Sequence, residues 1–435
     1  MHRIAIVGGG AGGLELATRL GDTLGRSGLA RVTLIDKNPT HIWKPLLHEV
    51  AAGTLDTETH VLDYTAQAHW HFFDFVRGEM VALDRKTRTL SIGAVVGGDN
   101  FDEEVLPPRI QLYDTLVLAV GSSTHFFGIP GADIHSVPLD TVDQAERLRR
   151  RLLQFCMRRT DASQAGNPEQ VNVAIIGGGA TGVELSAELL RMEKGFRKFG
   201  LRLGGNDSCF RVTLMEAGPR ILPAISERVA ATTARLLEKL GVSVLVGDAV
   251  TKVEQHAVVT KSGQRHDADI TIWAAGIKAP DFLSSLDGLE VNRINQVKVN
   301  SELQAENDAS VYALGDCCSC VWTEQTFVPP RAQAAHQQAK YLAKSLQARL
   351  AGRAVKHFRY IDHGSLVSLG SISAVGSLMG GIIGRDILVE GLLARLMYAS
   401  LYRKHIAAVS GVRRMVFSVC AQLLRRAAAP RVKLH

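Results

Sequence analysis

No cysteine precedes Cys156, and the six in the chain follow no secreted spacing pattern. A disulfide-stapled scaffold is thereby excluded, and a reducing cytoplasm is the expected setting. Long apolar runs are missing as well: none reaches the ~18 residues that a bilayer-spanning helix needs. The first apolar strand begins almost at Met1, so no signal or transit peptide is expected. Nothing in the composition marks disorder. With 46% hydrophobic and 21% charged residues over 435 positions, the chain suits a globular α/β protein of two or three domains.

A basic excess is absent everywhere except at the C-terminal end. Residues 385–435 carry ten Lys or Arg against two Asp or Glu, whereas the remaining residues carry 40 against 41. The same tail holds the apolar groups Ile387-Leu388-Val389, Leu392-Leu393 and Leu396-Met397-Tyr398. It also holds the run from Val412 to Arg426, with arginine pairs at 413–414 and 425–426. Apolar segments flanked by paired arginines suit a helix lying in the interface of an anionic lipid leaflet. Nucleic acid is the poorer partner, because the basic residues alternate with aliphatics and not with polar or stacking residues. A dimerisation helix or a packed core helix is the remaining reading of the segment.

What the chain does have is one motif twice. Val7-Gly8-Gly9-Gly10-Ala11-Gly12-Gly13-Leu14-Glu15 and Ile176-Gly177-Gly178-Gly179-Ala180-Thr181-Gly182-Val183-Glu184 are near copies. Each follows a short apolar strand, Arg3 to Val7 or Val171 to Ile176, and opens into a helical pattern. That context turns a loose Gly-x-Gly-x-x-Gly match into a dinucleotide-binding turn. Glycines let the backbone approach a pyrophosphate, and the helix behind them offers free N–H groups. Each loop is followed by a strand ending in an acid, Asp36 after Arg31-Val32-Thr33-Leu34-Ile35 and Glu216 after Arg211-Val212-Thr213-Leu214-Met215. A carboxylate there accepts ribose hydroxyls and repels a 2′-phosphate, so NAD is favoured over NADP at the second loop. The bland alternative is a strand-terminal acid in a solvated turn. Gly182 and Glu216 lie further apart than the usual ~20 residues, and a surface excursion from about Lys194 to Ser208 accounts for the excess.

The order of strands implies nesting. Tyr113 to Ser122 reads as a buried strand that passes Ala119 and stops at Gly121, and Asp269 to Ile277 repeats the design through Ala275 and Gly276. Val311-Tyr312-Ala313-Leu314-Gly315-Asp316 returns to the strand-then-acid pattern and belongs with the first unit. The expected architecture is α/β, with two Rossmann-like dinucleotide-binding domains, the second inserted in the first, and a C-terminal amphipathic membrane-associating helical region. Expected boundaries are 1–168 and 301–375 for the first domain, 169–300 for the second and 376–435 for the tail. The linker into the second domain is placed at Gln164 to Pro168.

Together the two loops, the Ala-Val-Gly and Ala-Ala-Gly strand ends and Tyr-Ala-Leu-Gly-Asp resemble the two-dinucleotide-binding flavoprotein superfamily. Within it, His41 to Val50, Trp273 to Pro280 and Pro329 to Gln337 resemble bacterial type II NADH dehydrogenase, the non-pumping NADH:quinone oxidoreductase. The resemblance covers essentially the whole chain. It implies FAD on the first loop (Gly8, Gly10, Ala11, Gly12, Gly13, Asp36), with Lys44, Val81, Ala119, Gly121, Asp316, Ala332 and Gln333 around it. It implies NADH on Gly177, Gly179, Ala180, Thr181, Gly182, Glu184 and Glu216, with Ala275 and Gly276 nearby. Hydride then passes from NADH to FAD, and two electrons pass on to a membrane quinone. The resemblance also implies a homodimer, held peripherally on the cytoplasmic face of the bacterial inner membrane.

Gln333 and Gln337 lie four apart on one helix face, and Pro329-Pro330 preset the helix start. By the resemblance, this helix lines the quinone pocket, where neutral amides can donate to a carbonyl. Glu184 is by the same token the carboxylate near the nicotinamide and the quinone, a candidate for proton handling or for reporting nicotinamide occupancy. Glu15 holds the matching place in the first unit, which also allows a purely helix-stabilising role. Relatives in this superfamily that reduce disulfides or oxidise sulfide carry cysteines beside the flavin, and here none precedes Cys156. A direct electron acceptor is therefore expected. Cys317 and Cys320 form a Cys-x-x-Cys, read as packing rather than as a relay or metal site. His363, before Gly364, stands where many relatives have lysine, which allows a pH-dependent charge. Two other functions fit less of the chain: a soluble NADH-dependent flavoprotein reductase of a protein or small-molecule acceptor, and a non-catalytic NADH-binding interaction protein.

Overall fold

A computed structural model describes residues 1–97, 103–163, 170–198, 208–369, 373–379 and 386–428. The expected linker at 164–168 and most of the 194–208 excursion fall outside these residues. The chain opens with β1 (His2–Val7), α1 (Ala11–Leu20), β2 (Ala30–Asp36), β3 (Asp74–Arg77) and β4 (Thr115–Leu118). A second set follows: β5 (Val171–Ile176), α2 (Ala180–Lys198), β6 (Phe210–Glu216), β7 (Ser243–Val246) and β8 (Ile270–Trp273). Then come β9 (Asp308–Ala313), α3 (Ala332–Leu350), α4 (Gly391–Ser410) and α5 (Val412–Ala428).

The two sets pair alike. One sheet has β9, β4, β1, β2 and β3 side by side and parallel, extended beyond β9 by short strands between residues 297 and 327. The other has β8, β5, β6 and β7 parallel, with Ser136–Pro138 added outside β8. Even the register repeats: Val7 lies opposite Ile35 and Leu118, and Ile176 lies opposite Met215 and Trp273. In both sheets the strand order reverses beside the first strand, which leaves a crevice at its carboxyl end.

Central strands buried on both faces read as continuous apolar runs. Ile4, Ile6, Leu116, Val117 and Leu118 are buried in the first sheet, and Val173, Ile175, Val212 and Leu214 in the second. Helices cover them through Leu14, Leu16 and Leu20 of α1 and Leu185 and Leu189 of α2. Each such side chain contributes about 1.5–3 kcal/mol on burial. The antiparallel strands Ser365–Leu369, Ser373–Met379 and Asp386–Glu390 lead into the C-terminal helices. α4 docks on the first unit: Thr18 donates to the Val409 carbonyl, and Gln67 to the Ser410 hydroxyl at 3.1 Å. Among the described residues no helix is long and apolar enough to cross a membrane.

Candidate functional site

The first loop fits tightly where it must and opens where a ligand would lie. A Cβ on Gly8, whose φ is +101°, would stand 2.4 Å from the Ala119 carbonyl oxygen. One on Gly13 would stand 1.9 Å from the Gly8 carbonyl, so these positions admit glycine alone. Gly10 and Gly121 instead border open space, with nothing but the Ala119 carbonyl within 4 Å of either Cβ position. No side chain caps α1, so its first N–H groups stay available for an anion. Asp36 clasps the loop, accepting the Gly9 N–H at 2.6 Å and the Asn38 N–H at 2.8 Å. Burial raises its pKa, against the pull of these two N–H bonds.

Distant segments close the cradle. Gly9 offers its carbonyl to the Tyr64 hydroxyl at 2.7 Å and to His41 Nδ1 at 2.9 Å. Since a carbonyl only accepts, His41 carries its proton on Nδ1, and its Nε2 accepts from His405 Nε2 of α4 at 2.8 Å. Burial pushes His41 down to about 4 and His405 well below its ordinary value, so both are neutral. At the carboxyl end of β9, Asp316 accepts from the Ser122 hydroxyl at 2.8 Å, and Lys44 donates to the Ser122 carbonyl at 2.9 Å. Gln338 of α3 accepts the Gly315 N–H at 2.7 Å. Val81 is 57% exposed on the strand Met80–Asp84.

The second loop repeats the clasp. Glu216 accepts the Gly178 N–H at 2.8 Å and the Gly218 N–H at 2.7 Å. A Cβ on Gly177, with φ +113°, would meet Ala274 backbone at 2.7 Å, and one on Gly182 the Gly177 carbonyl at 2.1 Å. Gly179 has nothing within 4 Å, and Ala180 and Thr181 are exposed at the start of α2. Ala275 accepts from the Trp273 indole at 2.8 Å, and the Phe127 ring lies over Gly276, leaving no room for a Cβ there.

The units meet at Glu184, one turn into α2. Its carboxylate accepts the Ser368 N–H at 3.0 Å and lies 3.5 Å from His48 Nδ1. His48 is fully enclosed, and burial pushes its imidazolium down to about 4, so the contact joins a carboxylate to a neutral ring. Its Nε2 finds no partner among the described residues. Glu15, the counterpart of Glu184, is instead paired with Arg19 at 2.7 Å and with His336 of α3. The repeated glutamates therefore have different surroundings.

Ala332 opens α3, again without a side-chain cap. Gln333 donates to Asp362 at 3.0 Å and to the Gly364 carbonyl at 3.3 Å, and accepts the His363 N–H at 3.3 Å. Gln337 exchanges two bonds with the Ile361 backbone, at 2.7 and 3.0 Å. Both glutamines thus tie down residues 361–364, a role their spacing alone does not reveal. Cys317 and Cys320 are buried, and burial holds each thiol up at about 11, in the unreactive protonated form. No cluster of metal-ligating side chains occurs among the described residues. Tyr64, His41, Ser122, His48 and Asp362 escaped the sequence reading as site residues; of these His41 and His48 lie in the stretch 41–50, and Ser122 at the end of the stretch 113–122, that carried a signal.

The comparisons with known proteins agree with this geometry. Residues 2–339 match the family model described as pyridine nucleotide-disulphide oxidoreductase. A type II NADH:quinone oxidoreductase from Haemophilus influenzae is 40% identical over all of both chains. Among solved structures, NDH2 from Plasmodium falciparum in complex with NADH superposes with a TM-score of 0.76 at 18% identity, covering 96% of this chain and 97% of that one. The sulfide:quinone oxidoreductase of Aquifex aeolicus gives 0.73 at 18% identity, over 94% and 92%. These last two likenesses show the fold alone, while the first relative matches from end to end. The chain belongs to the type II NADH:quinone oxidoreductases of the pyridine nucleotide-disulphide oxidoreductase family.

Proposed function

We propose that this protein oxidises NADH and reduces a membrane quinone, without pumping protons, at the cytoplasmic face of a bacterial inner membrane. The observation that carries the reading is the meeting at Glu184: the helix behind the second loop reaches His48 and Ser368, which flank the first cradle. A nucleotide on the second loop is thereby brought toward a cofactor on the first.

The first cradle fits FAD: glycines where a Cβ would collide, open space at Gly10 and Gly121, free helix N–H groups and an acid at the strand end. Bound there, FAD supplies two-electron transfer between a nicotinamide and a quinone. Gly8, Gly12 and Gly13 keep the turn tight, the open face at Gly10 admits its pyrophosphate, Asp36 accepts its ribose hydroxyls, and Lys44, Ser122 and Asp316 stand at the end of the crevice. Gly177, Gly179 and Gly182 with Glu216 hold NADH in the same manner. Glu184, beside a neutral imidazole, is placed to hold or pass a proton. Gln333 and Gln337 orient residues 361–364 along the acceptor side.

Exposed Val412, Val416, Phe417 and Leu424 of α5, beside Arg413 and Arg414, suit a helix lying in the lipid interface. The family likeness implies that the protein works there as a homodimer. Rapid mixing tests the reading directly: NADH should bleach the flavin, and a quinone should restore its colour. In Gln333→Leu, bleaching by NADH should stay within about twofold while reoxidation slows roughly tenfold, the cost of losing one positioning amide. Equal slowing of both halves would remove Gln333 from the acceptor side.

A further inference from the structure

Beside the start of α5 lies a cleft of about 680 Å³ that the electron-transfer reading does not use. Its walls come from three separate parts of the chain: Asp22 and Arg26 after α1, Trp70 and His71, and Val412 to Arg414 with Phe417. Three guanidiniums face one carboxylate, and that carboxylate already accepts from His71 Nδ1 at 3.0 Å. None of Arg26, Arg413 and Arg414 makes an ion pair among the described residues. Two of the three lie over rings: the Arg414 guanidinium carbon stands 3.8 Å from the Trp70 ring centre, and that of Arg26 stands 4.5 Å from that of Phe72. A guanidinium stacked in this way loses its freedom of orientation but keeps its in-plane N–H groups free for an anion. His71 is only 7% exposed, lines the cleft, and its Nε2 has no partner among the described residues.

The rim decides which anion. Phe417 is 76% exposed, Val412 64% and Trp70 41%, so apolar surface adjoins the arginines directly. A free phosphate or a nucleotide would leave that surface wet, whereas a lipid offers a phosphate for the guanidiniums and a chain for the rim.

We propose that this cleft is a binding site for the phosphate headgroup of an anionic phospholipid, with Arg26, Arg413 and Arg414 on the phosphate and Trp70, Val412 and Phe417 along the glycerol and upper acyl chain. The inference rests on the membrane reading above and sharpens it: the tail does not merely meet a charged surface but closes on one lipid, together with a wall from the N-terminal unit.

The full-length flavin-loaded protein is titrated calorimetrically with dihexanoylphosphatidylglycerol kept monomeric, so that no charged surface is present. Saturable binding is expected, and Arg26→Gln and Arg414→Gln should each weaken it about fivefold or more. Arg403→Gln and Lys404→Gln, exposed on α4 and outside the cleft, remove the same charge and should change it less than about twofold. NADH oxidation with a water-soluble quinone serves as the folding control and should be unchanged in all four variants. Equal losses in the four, or no saturable binding, would overturn the cleft. So would inorganic phosphate that displaces the lipid at equal concentration, since the apolar rim would then contribute nothing. Flotation of the unsubstituted protein with phosphatidylglycerol vesicles separates the two claims. If it floats while the cleft fails, the membrane reading stands alone; if it does not float, the membrane reading fails first.

Discussion

The two glycine loops share spacing, strand register and a carboxylate clasp, but they differ in what stands over them. Above the first, Tyr64 and His41 bond the Gly9 carbonyl, His405 of α4 backs His41, and Leu314 and Ala335 press on Gly12. Above the second, the Gly178 carbonyl accepts the Leu222 N–H at 2.8 Å, with no side-chain donor to it among the described residues. One loop is held at its carbonyl by side-chain donors, and the other by a backbone donor. This is what a resident cofactor and an exchanging substrate respectively require, since each added contact that exists only in the closed form slows release.

The contrast can be broken at the glycines. The largest effect is expected from Gly13→Val, whose side chain has no space beside the Gly8 carbonyl: the flavin-to-protein ratio after purification should fall roughly tenfold or more. Gly179→Val meets no protein atom, so it should fold and stay yellow, while kcat/KM for NADH drops about 100-fold because the side chain occupies ligand space. A yellow Gly13→Val with normal turnover would show that the close packing on the Gly8 carbonyl is not needed to hold the flavin.

A smaller effect separates the two loops by pH. His41, His48 and His405 are held neutral by burial, their pKa values lowered from 6.5. The unfolded chain takes up protons that the folded chain refuses, so stability is full above pH 6.5 and is lost as pH falls toward about 4. For His48 this amounts to something on the order of 3 kcal/mol. Two of the three rings hold the first loop, so acid should release flavin before it weakens NADH binding; fluorescence of freed flavin against NADH titrations reports the order. Release of both at one pH would assign the acid sensitivity to global unfolding.

Much of this was legible in the amino-acid order because it is periodic and local. The strand ending at Ile176 was expected at Val171–Ile176 and is found there, and those ending at Val7, Asp36 and Glu216 each begin one residue earlier than expected. The acids sit where a strand end must place them. Less legible were the contacts that close the site, because a bond such as Tyr64 to Gly9 or Gln333 to Asp362 joins residues far apart in sequence and repeats no pattern. The glutamines show this well: their helical spacing correctly puts them on one face, but only the fold reveals that residues 361–364 lie against it. Three of the four strands at the far end of the first sheet were invisible for the same reason, as strands of two or three residues leave no alternation to read.

The clasp at Glu216 has a bearing on coenzyme engineering. Its two oxygens each steady a different backbone N–H, at Gly178 and Gly218, on either side of the crevice. Replacing it with arginine to welcome a 2′-phosphate would strand both donors and slacken the very turn that cradles the ligand. A redesign toward the phosphorylated coenzyme must therefore rebuild residues 216–218 as a unit, supplying new acceptors before adding new charge.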